Sequence, residues 1–394
     1  MFADIPNTIT NLPQDIILEI TSHLNLVDYQ ALRLSTALWS LPFIHTCTWE
    51  SYTNTIPNLP TDALISPKLM FKPYYNILNQ SRLVSIFNFN HQSLMMHLIT
   101  RKLIPTTMHS QLLKIVCSLG SQSVMTKILL DWDVDVHQSN NLFLFLLASK
   151  GHVECLKTLL QMRDVEPNVS ENLAIGIAAC NGHLNCVEFL LKDARVNPAD
   201  QGNRAIKLAA ENGFTNIVDV LLKDIRVDPS MDDNYAVRLA AANGHTECLQ
   251  RLMLDPRVDP SDHQNWAIGL AASNGHAECI RMLLSDSRVN PSDDSNLAIR
   301  SACEYGHLEC VKLLILDARV DPSEGLNFSI RIASENGYLE IIRVLLADPR
   351  VDPSDDSDYA LRHASSNKHY DCVQLLLSDS RVGLNFQNFN PRIC

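Results

Sequence analysis

Residues 301–323, SACEYGHLECVKLLILDARVDPS, contain the segment that decides the fold. The glycine near its centre, Gly306, recurs along the chain with an invariant step of 31 residues. The equivalent glycines are Gly151, Gly182, Gly213, Gly244, Gly275 and Gly337. Pro322, Asp317 and Arg319 recur with the same step. A fixed step of this length predicts a solenoid, in which each unit buries its apolar face against its neighbours.

Each unit contains two short stretches of helical periodicity, which are NLAIRSACEY and LECVKLLILD at residues 296–305 and 308–317. Gly306 between them is expected to end the first helix in a left-handed conformation. Arg319 is expected to reach the free carbonyls of its own second helix, and Pro322 stops that helix. The next first helix can be capped by a polar residue of 293–296.

The repeat unit resembles the ankyrin repeat. GHLECVKLLILDARVDPS is similar to the family's glycine–histidine turn and second helix, and AIRSAC and AVRLAA stand where the family has its first-helix motif. The family's usual unit is two residues longer, so the resemblance implies a shortened hairpin at each junction. The phase covers about nine or ten units over residues 76–385. We expect degenerate repeats at 76–139, regular repeats at 140–385 and a tail at 386–394.

The bulk composition narrows the class of protein. The chain has 394 residues, 46% apolar residues and a net charge of −12, which argues against a general nucleic-acid binder. Its eleven cysteines are not preceded by a signal-like opening, and no apolar run approaches the length of a membrane span. We therefore expect a cytoplasmic or nuclear protein that is neither secreted nor membrane-spanning, with reduced cysteines.

A histidine, a glutamate and a cysteine lie close together in GHLEC, residues 306–310, which suggests a metal or catalytic site. The cysteine position, however, holds isoleucine at Ile217 and Ile341, as a buried apolar position permits and a metal ligand does not. Equivalent ligands on neighbouring packed helices are also too far apart to share one ion. We therefore expect no enzyme activity, no metal and no cofactor, and assign GHLEC to packing.

Two surface features remain as candidates for binding. Carboxylates line successive turns, and they are either solvated turn residues or an acidic rim that steers a basic partner. One variable position lies where each turn meets the first helix, and its side chains are either interface anchors or packing between repeats. The candidate substrate-binding residues at that position are Arg204, Tyr235, Trp266, Leu297, Phe328 and Tyr359. A basic position three residues later, as at Arg300, is expected to pair with a glutamate four residues further on, such as Glu304.

The repeat phase fails before about residue 76, and five prolines between Leu41 and Tyr75 indicate an irregular connector at 51–75. The preceding segment, NLPQDIILEITSHLNLVDYQALRLSTALWSLPF at 11–43, predicts three short helices that expose more apolar surface than they can bury alone. This segment, 8–50, resembles the F-box. The resemblance implies that a Skp-type adaptor is bound by Leu12, Pro13, Ile16, Ile17, Ile20, Leu24, Leu32 and Trp39.

The sequence thus predicts an all-α fold, with an N-terminal three-helix F-box followed by an α-solenoid of 31-residue ankyrin-like repeats with short hairpin turns. Together the two resemblances imply a substrate-recognition subunit of an SCF-type E3 ubiquitin ligase. The F-box would bind a Skp-type adaptor and, through it, a cullin–RING ligase, while the repeats hold a protein substrate. The alternative is an ankyrin-repeat scaffold with no role in ubiquitin transfer.

Overall fold

The structure is a computed structural model, and it describes residues 96, 99–100, 104, 106, 109–132, 136, 138–162 and 165–382. The chain divides into two compact units after Pro167. The expected F-box, connector and tail at 8–50, 51–75 and 386–394 lie outside the described residues, as do the adaptor-binding candidates. The secondary structure of the described residues is entirely helical, without strands. None of these helices is both long and apolar enough to cross a membrane.

The first unit contributes four described helices: α1 (His109–Leu119), α2 (Gln122–Asp131), α3 (Gln138–Lys150) and α4 (Val153–Leu160). α1 packs against α2 and α3, and α4 packs against α2 and α3. Leu113, Val116, Met125, Ile128 and Leu156 are fully buried between them. These helices therefore form two consecutive helix pairs that share one apolar core.

Between residues 168 and 382 the second unit contains seven helix pairs, each with a twelve-residue first helix and an eight-residue second helix. The pairs are α5 (Val169–Cys180) and α6 (Leu184–Leu191), α7 (Asp200–Glu211) and α8 (Thr215–Leu222), α9 (Met231–Ala242) and α10 (Thr246–Met253), α11 (Asp262–Ser273) and α12 (Ala277–Leu284), α13 (Asp293–Glu304) and α14 (Leu308–Ile315), α15 (Glu324–Glu335) and α16 (Leu339–Leu346), and α17 (Asp355–Ser366) and α18 (Tyr370–Leu377). Each helix packs against its own partner and against the equivalent helix of the next pair. The second unit is therefore a stack of nearest-neighbour contacts.

Small residues bring the first helices close together. In α13 the side chains of Ala298, Ile299 and Ala302 are buried, and in α14 those of Cys310, Val311 and Leu314 are buried. The buried Val320 closes the unit at its C-terminal end. This pattern repeats with the step of 31 residues, which is why the period predicted the helix pairs.

The glycine between the two helices behaves as predicted. Gly306 has φ +81°, and the following His307 N–H donates to the carbonyl of Ala302 at 2.9 Å. This hydrogen bond runs from the second residue after the helix end to the third residue before it, which defines a Schellman motif. At Gly275, with φ +80°, an added Cβ would also lie 2.6 Å from His307 Nδ1. Glycine is therefore required there by both backbone conformation and packing.

The junction between repeats differs from the expected hairpin. Asp294, Ser295 and Asn296 have φ of 49–56° and ψ of 41–49°, so the chain makes one turn of left-handed helix before the right-handed helix begins at Leu297. Seven junctions of the described second unit contain such a left-handed turn. Non-glycine residues pay for this conformation, and asparagine and aspartate tolerate it best. The third residue of every turn is accordingly Asn or Asp.

The asparagine that closes each left-handed turn also connects two repeats. Asn265 is buried, and its Oδ1 accepts a hydrogen bond from the backbone N–H of Asn290 at 2.9 Å. Its Nδ2 donates to Asp293 Oδ2 at 2.6 Å. The polar residues 293–296 were expected to cap the next helix, but no side-chain cap forms at the start of α13. The side chains of Asp293 and Asn296 are used instead for contacts between repeats, which a local cap motif does not reveal.

Arg319 does not bind the end of its own second helix, contrary to the prediction. Its Nε and Nη2 donate to the two carboxylate oxygens of Asp317, and its Nη1 donates to the backbone carbonyl of Val289 at 2.7 Å. Val289 lies in the preceding repeat, 30 residues earlier. The fork of the guanidinium is held by Asp317 and therefore aims its remaining donor away from its own helix.

Candidate functional site

His307 and Cys310 of GHLEC make structural contacts. His307 Nε2 lies 3.0 Å from the backbone carbonyl oxygen of Ser273, to which an Nε2–H donates. Cys310 is 1% exposed, and burial raises the pKa of its thiol to about 11. Among the described residues no group of three or more His, Cys, Asp or Glu side chains is arranged to hold a metal ion. The histidine and cysteine therefore pack and bond between repeats.

The candidate substrate-binding residues form a row. Each lies directly after the left-handed turn, at the first right-handed residue of its helix, and we call this the aromatic position. It holds Leu173, Arg204, Tyr235, Trp266, Leu297, Phe328 and Tyr359. Because consecutive first helices pack side by side, these residues lie on one face of the second unit. Tyr235 is 41% exposed and Trp266 is 40% exposed, so these two rings remain open to a partner.

A second row lies three residues later, one helical turn along the same face. This cation position holds Gly176, Lys207, Arg238, Gly269, Arg300, Arg331 and Arg362. The two rows interleave. The guanidinium carbon of Arg238 lies 4.9 Å from the ring centroid of Tyr235 in its own repeat and 5.7 Å from that of Trp266 in the next repeat. We call the stacked side chains of the two rows the aromatic–arginine ladder.

The ladder continues on the C-terminal side of Gly269. Arg300 lies 5.3 Å from the ring centroid of Phe328, and Arg331 lies 4.2 Å from that of Tyr359. Arg362 contacts the same tyrosine ring at 5.8 Å. Each of these distances falls within the range of cation–π attraction. The rings of the aromatic position therefore pack between repeats and also remain partly exposed. Packing between repeats and a role as interface anchors thus do not exclude each other.

The prediction for the partners of the basic row is wrong. Arg300 Nη1 donates to the backbone carbonyl of Ser295 at 3.1 Å, in the left-handed turn that precedes its helix, and not to Glu304. Arg238 Nη2 likewise donates to the carbonyl of Asp232 at 2.7 Å. The left-handed turn exposes these carbonyls on the arginine side, so the arginine reaches back five or six residues. Sequence spacing alone favoured the helical neighbour four residues ahead.

Three Nε atoms of the ladder are buried without a hydrogen bond in the described structure: those of Arg238, Arg300 and Arg331. A buried unpaired donor carries a free-energy cost. The flat guanidinium faces a ring in each case, which offsets part of that cost through cation–π attraction. The ladder is thus a polar arrangement that combines side chains of neighbouring repeats.

The turn carboxylates divide into two groups. Those that begin the first helix, such as Asp293 and Asp355, accept hydrogen bonds from the asparagine of the preceding turn and are structural. Those one residue later are exposed: Asp232 pairs with Lys207, and Asp356 pairs with Arg331 at 3.1 Å. Asp294 occupies the same position and is exposed. Some carboxylates of the predicted acidic rim are therefore used for hydrogen bonds within the fold, and others remain at the surface.

Comparisons with known proteins agree with this architecture at the level of the repeat. The family model for ankyrin repeats (3 copies) matches residues 144–233 and 237–324. No curated protein matches the chain. A solved structure of an ankyrin repeat family protein from Legionella pneumophila is 16% identical, covers 95% of this chain and 92% of its own, and has a TM-score of 0.21. The described part of the second unit is an all-helical solenoid of ankyrin-like repeats, and the segments 144–233 and 237–324 match the ankyrin-repeat family.

Proposed function

We propose that the chain is the substrate-recognition subunit of an SCF-type E3 ubiquitin ligase, in which the repeats hold the protein substrate. Ankyrin repeats suggest a protein-interaction module. The observation that carries the binding function is the aromatic–arginine ladder, which presents the half-exposed rings of Tyr235 and Trp266 on one face. Exposed aromatic side chains flanked by arginines are typical anchors of protein interfaces.

The link to ubiquitin rests on the sequence of residues 8–50 and its resemblance to the F-box. In this proposal Ile16, Ile17 and Ile20 bury against a Skp-type adaptor, and the adaptor connects the chain to a cullin–RING ligase. The repeats would then hold the substrate close to the ubiquitin-loaded enzyme. The rate gain comes from the raised effective concentration of the substrate lysine, so no residue of this chain takes part in the chemistry.

Capture of a purified Skp-type adaptor by the full-length chain tests the ubiquitin part of the proposal. We expect the wild type to bind the adaptor and the variant Ile16→Asp/Ile20→Asp to lose binding, because two carboxylates cannot be buried in an apolar interface. Trp266→Ala is the matched control and should bind the adaptor as the wild type does. Absence of adaptor binding by the wild type, or its persistence in the double variant, would refute the receptor function.

A separate capture tests the substrate surface. Proteins retained by the wild-type chain from a lysate, with the proteasome inhibited, should be lost with Tyr235→Ala/Trp266→Ala and kept with Ile16→Asp/Ile20→Asp. Retention by the repeats without adaptor binding would identify the chain as an ankyrin scaffold with no role in ubiquitin transfer. Equal retention by the ladder variant would show that the substrate binds another surface.

A further inference from the structure

The dipeptide Asn-Gly recurs in the sequence at the ends of first helices. It begins at Asn181, Asn212, Asn243, Asn274 and Asn336, and its glycine is in each case the glycine of the Schellman motif. Asparagine deamidates most readily before glycine, because glycine has no side chain to shield its nitrogen. All five asparagines are exposed. Each of these turns therefore carries a potential modification site.

Deamidation requires no reactant other than water. The main-chain nitrogen of the glycine bonds to the side-chain Cγ of the asparagine, and its proton leaves with the side-chain amide as ammonia. Water then opens the resulting succinimide ring, which gives aspartate or isoaspartate. No electrons are transferred, so the reaction requires neither an oxidant nor a reductant. Its rate depends on how often the glycine nitrogen can reach Cγ.

The folded turn holds these two atoms apart. The succinimide ring closes only when the glycine nitrogen is eclipsed with the asparagine Cβ. Asn181 has ψ +5°, so the Gly182 nitrogen is eclipsed with the Asn181 nitrogen instead. Asn181 Nδ2 also donates to the carbonyl of Ile177 at 2.8 Å, and the Gly182 N–H donates to that of Ala179 at 3.3 Å. The other four asparagines have ψ between −5° and +3°. Reaction therefore requires the turn to open.

The next repeat holds four of the five turns closed with a histidine. The ring of His276 covers Gly244 so closely that a Cβ added to the glycine would lie 2.5 Å from Nδ1. His276 Nε2 lies 3.0 Å from the carbonyl oxygen of Ala242, the residue before Asn243, and an Nε2–H donates to that oxygen. The same two contacts are made by His245 at Asn212, His307 at Asn274 and His369 at Asn336.

The turn at Asn181 differs from the other four. Phe214 replaces the histidine in the next repeat, and its ring covers Gly182 in the same way, with Cε1 2.5 Å from an added Cβ. A phenyl ring has no N–H, so it cannot donate to the carbonyl of Cys180. The packing over the glycine is kept, but the hydrogen bond that would anchor the turn to the next repeat cannot form. This turn therefore opens at a lower cost in free energy.

We propose that Asn181 is a site of spontaneous deamidation in the folded chain, selected among the five Asn-Gly dipeptides by Phe214. The product loses the Nδ2 donor to Ile177 and places a carboxylate at the C-terminal end of α5, where the helix dipole disfavours negative charge. Deamidation therefore weakens the first helix pair of the second unit. This inference does not depend on the proposed function.

Peptide mapping of the full-length chain by mass spectrometry measures the reaction at each site. The protein is kept in a mildly alkaline buffer, and the deamidated fraction of each Asn-Gly peptide is followed over time. The chain unfolded in urea gives the intrinsic rate, and the ratio of the two rates gives the protection by the fold. Asn181, Asn243 and Asn274 share the sequence Asn-Gly-His and are directly comparable. We expect the protection of Asn181 to be about fivefold lower than that of the other two.

Exchange of the covering residue tests the cause. Phe214→His should raise the protection of Asn181 about fivefold, and His276→Phe should lower that of Asn243 by the same factor. Both variants use residues that the chain already has at this position, and thermal unfolding shows whether they fold. If Phe214→His does not fold, the wild-type ratio and His276→Phe decide. Equal protection of Asn181 and Asn243 in the wild type, or unchanged protection in His276→Phe, would overturn the proposal.

The consequence for the stack has its own test. Asn181→Asp reproduces one product of the reaction, and Asn181→Ala removes the amide without adding a charge. We expect both to melt at a lower temperature than the wild type, and Asn181→Asp at the lowest, because its carboxylate lies at the negative end of α5. A melting temperature of Asn181→Asp equal to that of the wild type would refute the proposed weakening of the helix pair.

Discussion

Arg319 Nη1 donates a hydrogen bond to the backbone carbonyl of Val289, 2.7 Å away and 30 residues earlier in the chain. Asp317 holds the other side of the guanidinium through Nε and Nη2 at 2.9 and 2.7 Å. One side chain thus fastens the turn that follows its own second helix to the preceding repeat. The same arrangement joins Arg226 to Val196, Arg257 to Val227, Arg288 to Val258, Arg350 to Val320 and Arg381 to Val351.

Replacing Arg319 tests the strength of this connection. Arg319→Ala removes a charged donor from a partly buried carbonyl, and we expect it to lower the free energy of unfolding by about 1–2 kcal/mol. Arg319→Lys keeps the charge but cannot serve Asp317 and Val289 together, so its loss should be intermediate. Urea unfolding followed by circular dichroism measures both. Lys312→Ala, which breaks only an exposed pair with Glu309, should cost less than about 0.5 kcal/mol. Equal effects of Arg319→Ala and Lys312→Ala would contradict a role of Arg319 in joining the two repeats.

The hydrogen bonds between Arg319 and Asp317 also predict that the stability of the chain depends on pH. Hydrogen bonds from Arg319 hold the pKa of Asp317 below its usual value of 3.8. Because the carboxylate is favoured in the folded state, this group adds stability above pH 3.8 and loses that contribution as the pH falls through its lowered pKa. Asp317→Asn should therefore be less stable than the wild type at pH 7, and the difference should shrink as the pH falls below 3.8. Thermal unfolding across this range measures it, and a difference that persists at the acid end would exclude the carboxylate as its source.

The buried asparagine of the left-handed turn gives a third prediction. Asn265→Ala leaves the N–H of Asn290 without its acceptor and places alanine at φ +57°. We expect a loss of about 2–3 kcal/mol in the free energy of unfolding. Asn265→Gly loses the same hydrogen bonds but adopts positive φ freely, so it should be about 1 kcal/mol more stable than the alanine variant. Equal stability of the two variants in urea would show that the left-handed conformation carries no cost.

Cysteine alkylation tests whether the repeated thiols are structural. Burial raises the pKa of Cys303 to about 12 and that of Cys310 to about 11. At pH 8 only about one Cys303 thiol in ten thousand would be ionised, so iodoacetamide should leave both residues unmodified in the folded chain. Among the cysteines that the structure describes, Cys180, which is only half-buried, should be modified first. Mass spectrometry of the digested protein measures this, with alkylation in urea as the control. Rapid native modification of Cys303 would mean that its helix opens.

The sequence predicted what depends on local periodicity. The step of 31 residues predicted the helix pairs, and the glycine at position 306 predicted a left-handed conformation there. The isoleucine that replaces Cys310 in other repeats predicted that this position is buried. Predictions from the sequence were wrong for polar side chains that can bond either to a partner on their own helix or to one elsewhere in the fold. Helical spacing predicts partners for Arg319 and Arg300 on their own helices. Both side chains instead bind backbone carbonyls outside those positions, Arg319 that of Val289 and Arg300 that of Ser295. The F-box prediction at 8–50 falls on residues that the structure does not describe.

The sequence by itself determined the repeat, its two helices and the packing role of GHLEC, because these follow from apolar spacing and from glycine's freedom at positive φ. Only the tertiary structure decided that left-handed turns link the repeats. It also decided that arginines and aromatic rings stack across the repeats. The reason is physical. These contacts join residues 25 to 31 positions apart, and their energies depend on where the neighbouring repeat places its carbonyls, rings and carboxylates.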